Sequence, residues 1–205
     1  MYFKYVLINR KISATAEIHL HFAAGELSFG EADYHSAIGG SSFTRSVTER
    51  IKTMNHILLS PADGTVISLD RTPDEAFASG MLGDGFAVEP ENGNIYAPAS
   101  GTVVSISESR HAYAISADFG DLLVHIGIDT VEVPEAFEPL VKVGDRVEAG
   151  QHIARADLEM IKKAGLSTVI PVLITDLREA GTVKKNFGKA RGGRDVAMYL
   201  AKQMK

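Results

Sequence analysis

The feature that most constrains the fold of this chain is a long series of short apolar runs separated by turn residues. From residue 57 onward the runs are rich in Val and Ile, and Gly, Pro, Asp or Ser bound them. Such runs predict β-strands, and their close spacing favours a sandwich or barrel. We therefore predict an all-β fold, an antiparallel β-sandwich or distorted barrel with one or two short helices.

The pattern also gives approximate element positions. Strands are predicted at residues 57–59, 64–70, 87–90, 94–97, 101–107, 113–117, 122–128, 151–157, 169–174 and 196–201. The single convincing helical segment is 157–164, with Asp157 as its N-cap.

An internal echo accompanies this pattern. The segment LSPADGTVIS at 59–68 is matched by APASGTVVS at 97–105, and each is a Pro-led turn followed by a β-branched strand. A third segment, VGDRVEAGQ at 143–151, has similar turn–strand–turn character. The spacing is irregular, which indicates a pseudo-repeated β-fold and not a solenoid.

The first part of the chain has a different character. Residues 1–53 show weak periodicity, and 28–46 are rich in Gly, Ser and Thr. We predict an N-terminal extension of unknown role over 1–53, poorly ordered or derived from an upstream start with Met54 as the true start. Residues 54–205 form the predicted domain.

Composition excludes several function classes. The net charge is −5 and no long run of Lys or Arg occurs, which argues against nucleic acid and anionic membrane surfaces as partners. The chain has no cysteine, which excludes disulfides and thiolate chemistry. Lys4, Arg10, Lys11 and Glu17 interrupt any signal-like apolar region, and no apolar stretch approaches about 18 residues. We expect a cytoplasmic protein without membrane insertion.

Two of the seven histidines lie in predicted strands of one hairpin. His125 lies in the apolar run LLVHIGID at 122–129, and His111 begins the preceding run. A buried structural histidine and a rigidly held nucleophile both fit His125, and spacing alone slightly favours the structural role. A simple register places His111 opposite Ile128 or Asp129, so a bulge or strong twist would be needed to bring the rings together.

A set of motifs in fixed order narrows this choice. GDGFAVEP occurs at 83–90, AP at 97–98 with GTV at 101–103, RHAY at 110–113 and LVHIGIDTV at 123–131. VGDRVEAG at 143–150, DL at 157–158, ST at 167–168 and PV at 171–172 follow. From about Leu58 to about Lys202 the chain resembles the glucose-type IIA proteins of the bacterial sugar phosphotransferase system.

The resemblance implies a phosphoryl carrier, which is a phosphotransferase component with no required cofactor. His125 would accept a phosphoryl group from the small carrier HPr and pass it to a cysteine of the IIB domain of a sugar permease. His111 would hydrogen-bond that group, and Ser109 would keep the hydroxyl of the family's usual Thr. A neutral His125 ring would present one bare nitrogen while an acceptor such as the Gly127 carbonyl holds its other N–H. The resemblance also implies a docking surface formed by Asp84, Phe86, Val88, Leu123, Asp129 and Val131.

Other functions remain to be weighed against this one. The same face could regulate other proteins, such as transporters or kinases, with a zinc ion bridging His111, His125 and a partner's carboxylate. A lysostaphin-type zinc endopeptidase also has a related β-fold, but it needs an H-x-H motif on a core strand. The one H-x-H here is His19 and His21, in the extension.

Ser107 replaces an aromatic residue common in the family, so partner affinity is expected to be weaker.

Overall fold

The computed structural model describes residues 21–23, 26–28, 56–177 and 181–202. The chain divides into two compact units, Met1–Ser46 and Val47–Lys205. In the first, His21–Ala23 (β1) and Glu26–Ser28 (β2) form an antiparallel pair. The rest of the predicted extension, including the proposed start at Met54, lies outside the described residues.

The second unit is built from antiparallel strands. The strands are His56–Leu59 (β3), Gly64–Ile67 (β4), Asp84–Pro90 (β5), Asn94–Tyr96 (β6), Gly101–Ile106 (β7), Ala112–Ala117 (β8), Gly120–His125 (β9), Phe137–Pro139 (β10), Arg146–Val147 (β11), His152–Ala156 (β12), Ile170–Leu177 (β13), Gly181–Lys185 (β14), Gly188–Ala190 (β15) and Val196–Lys202 (β16). The helices are Glu75–Ala78 (α1) and Leu158–Lys163 (α2), with 3-10 turns at Leu69–Arg71, Thr130–Glu132 and Pro134–Ala136. The predicted all-β fold class is confirmed.

One large sheet carries the fold. Its strand order is β11-β7-β8-β9-β13-β5-β4-β15, and three-stranded sheets β10-β12-β6 and β14-β16-β3 accompany it. One face of the large sheet packs into the main core, which contains Phe86, Val88, Tyr113, Val124 and Val172. The other face carries a smaller apolar cluster, so the two faces of β9 have different surroundings.

The internal echo seen in the sequence is structural. Leu59 N donates to the Pro98 carbonyl at 2.8 Å, and Tyr96 N donates to the Pro61 carbonyl at 2.7 Å. The order of the large sheet is correspondingly symmetrical about β9 and β13. The two Pro-led turns therefore hold each other, as two halves of a pseudo-duplicated fold.

Several predicted boundaries move for identifiable reasons. The strand expected at 87–90 begins at Asp84, because Gly85 lets the backbone approach β13 closely: a Cβ there would lie 1.9 Å from the Val172 carbonyl oxygen. The strand expected at 122–128 ends at His125, where the chain turns through Gly127 with φ of +78°. Asp157 caps α2 as predicted and accepts a hydrogen bond from Met160 N.

Among the described residues of the second unit, the predicted elements lack the helix α1 and the strands β10, β14 and β15. Strand β11 lies within the turn–strand–turn segment at 143–151 but had no predicted bounds. Strands β11 and β15 are short with little apolar alternation, so their pairing depends on backbone bonds across the sheet. No helix in the described segments is long and apolar enough to span a bilayer.

Candidate functional site

His125 occupies the last position of β9, on the face of the large sheet away from the main core. Its half-buried side chain alternates with buried Leu122 and Val124. The Nδ1 atom lies 2.8 Å from the Gly127 carbonyl oxygen. A carbonyl only accepts, so Nδ1 carries the proton and Nε2 is left bare. The expected hydrogen bond to the Gly127 carbonyl is thus present, and a bare Nε2 is the form of imidazole that acts as a nucleophile.

The turn after β9 fixes this carbonyl. Gly127 has φ of +78°, and a Cβ there would lie 2.3 Å from Thr130 Cγ2 and 2.8 Å from the Ser167 carbonyl oxygen. Buried Thr130 donates its hydroxyl to the Ile126 carbonyl at 2.7 Å. The glycine is therefore required both by its conformation and by its neighbours.

His111 lies immediately before β8, beside His125. The two ring centroids are 4.6 Å apart with the planes at 73°. The predicted register is wrong: Ala117 pairs with Gly120 across a two-residue turn, so Ala112 pairs with His125, and this ladder contains no bulge. His111 precedes the first paired residue of β8 and accepts a hydrogen bond from Ile126 N through its carbonyl. The predicted register was wrong because it assumed a turn of more than two residues between these strands.

Two hydroxyls contact the His111 ring. Ser109 Oγ lies 2.7 Å from Nδ1, and Ser107 Oγ lies 3.4 Å from the same atom. The hydroxyl expected at Ser109 therefore contacts His111. The contact from Ser107 was not expected, since the family resemblance placed at that position an aromatic residue that affects partner affinity.

Both rings are electrically neutral near neutral pH. Burial lowers the pKa of His111 to about 4, and repulsion from His125 acts in the same direction. Burial also lowers the pKa of His125, opposed by the hydrogen bond to Gly127 and by the charges of Asp74 and Asp129. Neutral rings can accept a phosphoryl group or donate an N–H without first losing a proton.

Helix α1 adds two residues that the sequence pattern missed. Its N-cap Asp74 accepts a hydrogen bond from Phe77 N at 3.1 Å. The Phe77 ring lies 5.1 Å from that of His125, in the smaller apolar cluster. An Asp followed by the helix formers Glu75 and Ala76 is the N-cap signal that would have identified this element.

The predicted docking surface is wrong in part. Phe86 and Val88 are fully buried in the main core. They pair across the sheet with Val172 and Ile170, and Val172 pairs in turn with Val124, so all of these side chains lie on the face opposite to His125. These two side chains cannot meet a partner.

The remaining predicted docking residues have different surroundings. Asp129 is exposed, Val131 is 58% exposed, and Leu123 is half-buried against the smaller cluster. Asp84 is exposed but accepts a hydrogen bond from Lys185 Nζ at 2.5 Å. The carboxylates that act on His125 are Asp74 and Asp129.

The site offers two ring ligands for a metal ion. Among the residues that the structure describes, no group of three or more His, Cys, Asp or Glu side chains could hold a metal. A zinc ion between His111 and His125 would therefore need a ligand from a partner protein.

Comparison with known proteins identifies the family. The family model described as phosphoenolpyruvate-dependent sugar phosphotransferase system, EIIA 1, matches residues 56–180. The chain belongs to this EIIA family. The family and the sugar-transport system predicted from the ordered motifs are thus confirmed.

Individual EIIA relatives agree with this assignment. A glucose-specific EIIA component of Halalkalibacterium halodurans is 35% identical over 143 residues, 69% of this chain and 83% of the relative. The glucose-specific EIIA component of Bacillus cereus is 36% identical over 155 residues, 74% of this chain and 94% of the relative. In the larger glucose-specific EIICBA component of Streptococcus pneumoniae, 131 residues are 44% identical, 63% of this chain but 18% of the relative.

A solved EIIA-type structure has the same fold. The glucose permease IIA from Mycoplasma capricolum superposes with a TM-score of 0.66 at 36% identity, covering 70% of this chain and 94% of that structure.

Proposed function

We propose that this chain is a phosphoryl carrier in which His125 accepts a phosphoryl group from phospho-HPr and passes it to a cysteine of a IIB domain for sugar uptake. The observation that carries this proposal is the 2.8 Å hydrogen bond from His125 Nδ1 to the Gly127 carbonyl, which leaves Nε2 bare. A neutral, oriented ring beside a second neutral histidine suits phosphoryl transfer, which depends mainly on positioning and charge stabilisation.

The reaction balances without a net proton transfer. The Nε2 lone pair of His125 forms a bond to phosphorus as the P–N bond of phospho-HPr breaks. In the onward step a IIB thiolate attacks phosphorus, the new P–N bond breaks, and His125 is neutral again. His111, neutral at this pH, donates an N–H to a phosphoryl oxygen and offsets charge in the transition state.

The surroundings of His125 support a protein partner. Exposed Met81 and Leu82 follow helix α1, and exposed Val131 follows Asp129. These exposed apolar residues are close in sequence to Asp74 and Asp129, the carboxylates whose charges act on His125. They suit a partner surface that is apolar with a basic rim, which we assign to HPr. Relatives named EIICBA and EIIBCA components suggest a IIB domain of a sugar permease as the acceptor.

Labelling by phosphoenolpyruvate, enzyme I and HPr tests the proposal. The wild-type chain should gain one acid-labile phosphoryl group that maps to His125, and His125→Ala should gain none while its thermal unfolding stays near wild type. His152→Ala is the control, because that ring contacts the Tyr96 ring at 5.2 Å between centroids in another sheet. Labelling retained in His125→Ala would refute the assignment. No labelling of the folded wild type with active HPr would refute carriage and favour a regulatory binding role.

A further inference from the structure

The turn between β7 and β8 brings two serine hydroxyls to one atom. Arg110 N donates to the Ser107 carbonyl at 2.8 Å, and Arg110 holds a positive φ of 63°. This turn places Ser109 Oγ at 2.7 Å and Ser107 Oγ at 3.4 Å from Nδ1 of His111. A non-glycine residue in this backbone region is uncommon, so the turn is held by its contacts.

The proton of the Ser107 hydroxyl has a defined direction. Ser107 Oγ already accepts a hydrogen bond from Ala112 N at 3.1 Å, while Ser107 N donates to the Ala112 carbonyl at 2.9 Å. With an oxygen lone pair occupied, the hydroxyl proton remains for donation. Nδ1 of His111 is the acceptor within reach of that proton.

Two proton arrangements of the His111 ring must be compared. If Nδ1 carried the proton, it would satisfy Ser109, but Ser107 would lose its acceptor, and His111 Nε2 would be a second bare nitrogen beside His125. If Nδ1 is bare, it accepts from both hydroxyls, and the proton lies on Nε2. The second arrangement gives both serine hydroxyls a hydrogen-bond acceptor in a nearly buried site, so it is favoured.

We propose that Ser107 is a positioning residue, a second hydroxyl donor to Nδ1 of His111. Together with Ser109 it keeps the ring proton on Nε2, the nitrogen left free to donate to a phosphoryl group on His125. The two serines are partly redundant, because either hydroxyl alone can donate to the single Nδ1 lone pair. The kinetic consequence rests on the proposed carrier function, whereas the tautomer does not.

The test combines nitrogen-15 NMR of the His111 ring with the rate of onward transfer from phosphorylated protein to a IIB domain. The variants are Ser107→Ala, Ser109→Ala, the double variant and Ser107→Thr, which keeps the hydroxyl. The control is Ser105→Ala, an exposed serine on β7. NMR reads the tautomer in unphosphorylated protein, so it is independent of activity.

Each single Ala variant should keep the Nε2-protonated tautomer and slow onward transfer about twofold. The double variant should populate both tautomers and slow transfer about tenfold or more, while Ser107→Thr and Ser105→Ala behave as wild type. A double variant no worse than Ser109→Ala alone would overturn the proposal, and so would an Nδ1-protonated ring in wild type. If no variant is labelled by HPr but the tautomer shift occurs, the carrier function fails and the role of Ser107 stands.

Discussion

At the scale of single residues, a backbone carbonyl determines which ring nitrogen of His125 is bare. A sequence does not distinguish the two nitrogens of an imidazole, but the Gly127 carbonyl accepts a hydrogen bond from Nδ1 and leaves Nε2 bare. The carbonyl is in place because Gly127 adopts a positive φ in a space closed by Thr130 and the Ser167 backbone. A residue without a side chain thereby determines the orientation and tautomer of His125, on which the proposed phosphoryl transfer depends.

Gly127→Ala should both destabilise the fold and slow phosphorylation. Positive-φ strain and a Cβ contact of 2.3 Å with Thr130 Cγ2 act together, and we expect a loss of about 2–3 kcal/mol in the free energy of unfolding. The displaced carbonyl should slow loading by phospho-HPr at least about tenfold. Urea unfolding and labelling kinetics measure the two effects.

Gly165→Ala is the matched control for this prediction. Gly165 has nearly the same φ, +77°, but no atom lies within 4 Å of the point that a Cβ would occupy. This variant should lose about 1 kcal/mol from backbone strain and keep wild-type loading. Equal effects of the two substitutions on loading would contradict the role of the Gly127 carbonyl.

At the scale of elements, the short helix α1 ties local capping to the electrostatics of the site. Asp74 caps the helix that carries Phe77 against His125, and its charge raises the pKa of that histidine. One side chain therefore has a structural and an electrostatic effect, and two substitutions separate them.

Asp74→Asn should lower the pKa of His125 with little loss of stability, because Asn caps helices about as well as Asp. Asp74→Ala should lower the same pKa and also cost about 1 kcal/mol in the free energy of unfolding. Histidine NMR titration and urea unfolding give the two quantities. Asp157→Ala, which uncaps α2, should cost about as much without changing the His125 pKa. A wild-type titration of His125 in Asp74→Asn would exclude the charge effect.

At the scale of the whole molecule, burial of neutral histidines makes stability depend on pH. The unfolded chain protonates His111 near its usual pKa of 6.5, and the folded chain does so only at about 4. Between these values the unfolded state binds more protons, so the free energy of unfolding falls as the pH drops. Above 6.5 this group contributes no pH dependence.

His111→Gln should weaken this acid sensitivity. We expect the urea midpoint of the variant to fall less than that of wild type between about pH 7 and about pH 4.5, since one buried neutral imidazole is removed. Carboxylates titrate in both proteins, so their contribution drops out when the pH dependence of the urea midpoint in the variant is subtracted from that in wild type. Parallel slopes would contradict a lowered pKa at His111.

Local sequence information was sufficient for the fold class, the pseudo-duplication and the choice of His111 and His125 as a pair. Strand patterning and Pro-led turns are local, and the ordered motifs carry the family, so these needed no tertiary information. The Asp157 cap follows for the same reason.

Tertiary contacts were needed to learn which apolar residues are buried in the main core and how the two rings meet. Phe86 and Leu123 look alike in sequence, but the face of the large sheet on which each lies makes one core and the other a neighbour of the site. Turn geometry sets Ala112 opposite His125 and brings Ser107 to the His111 ring. Contacts between segments distant in the chain bring Asp74 close to His125. Periodicity in the sequence shows which residues are apolar, whereas strand register, turn length and packing determine which atoms are in contact.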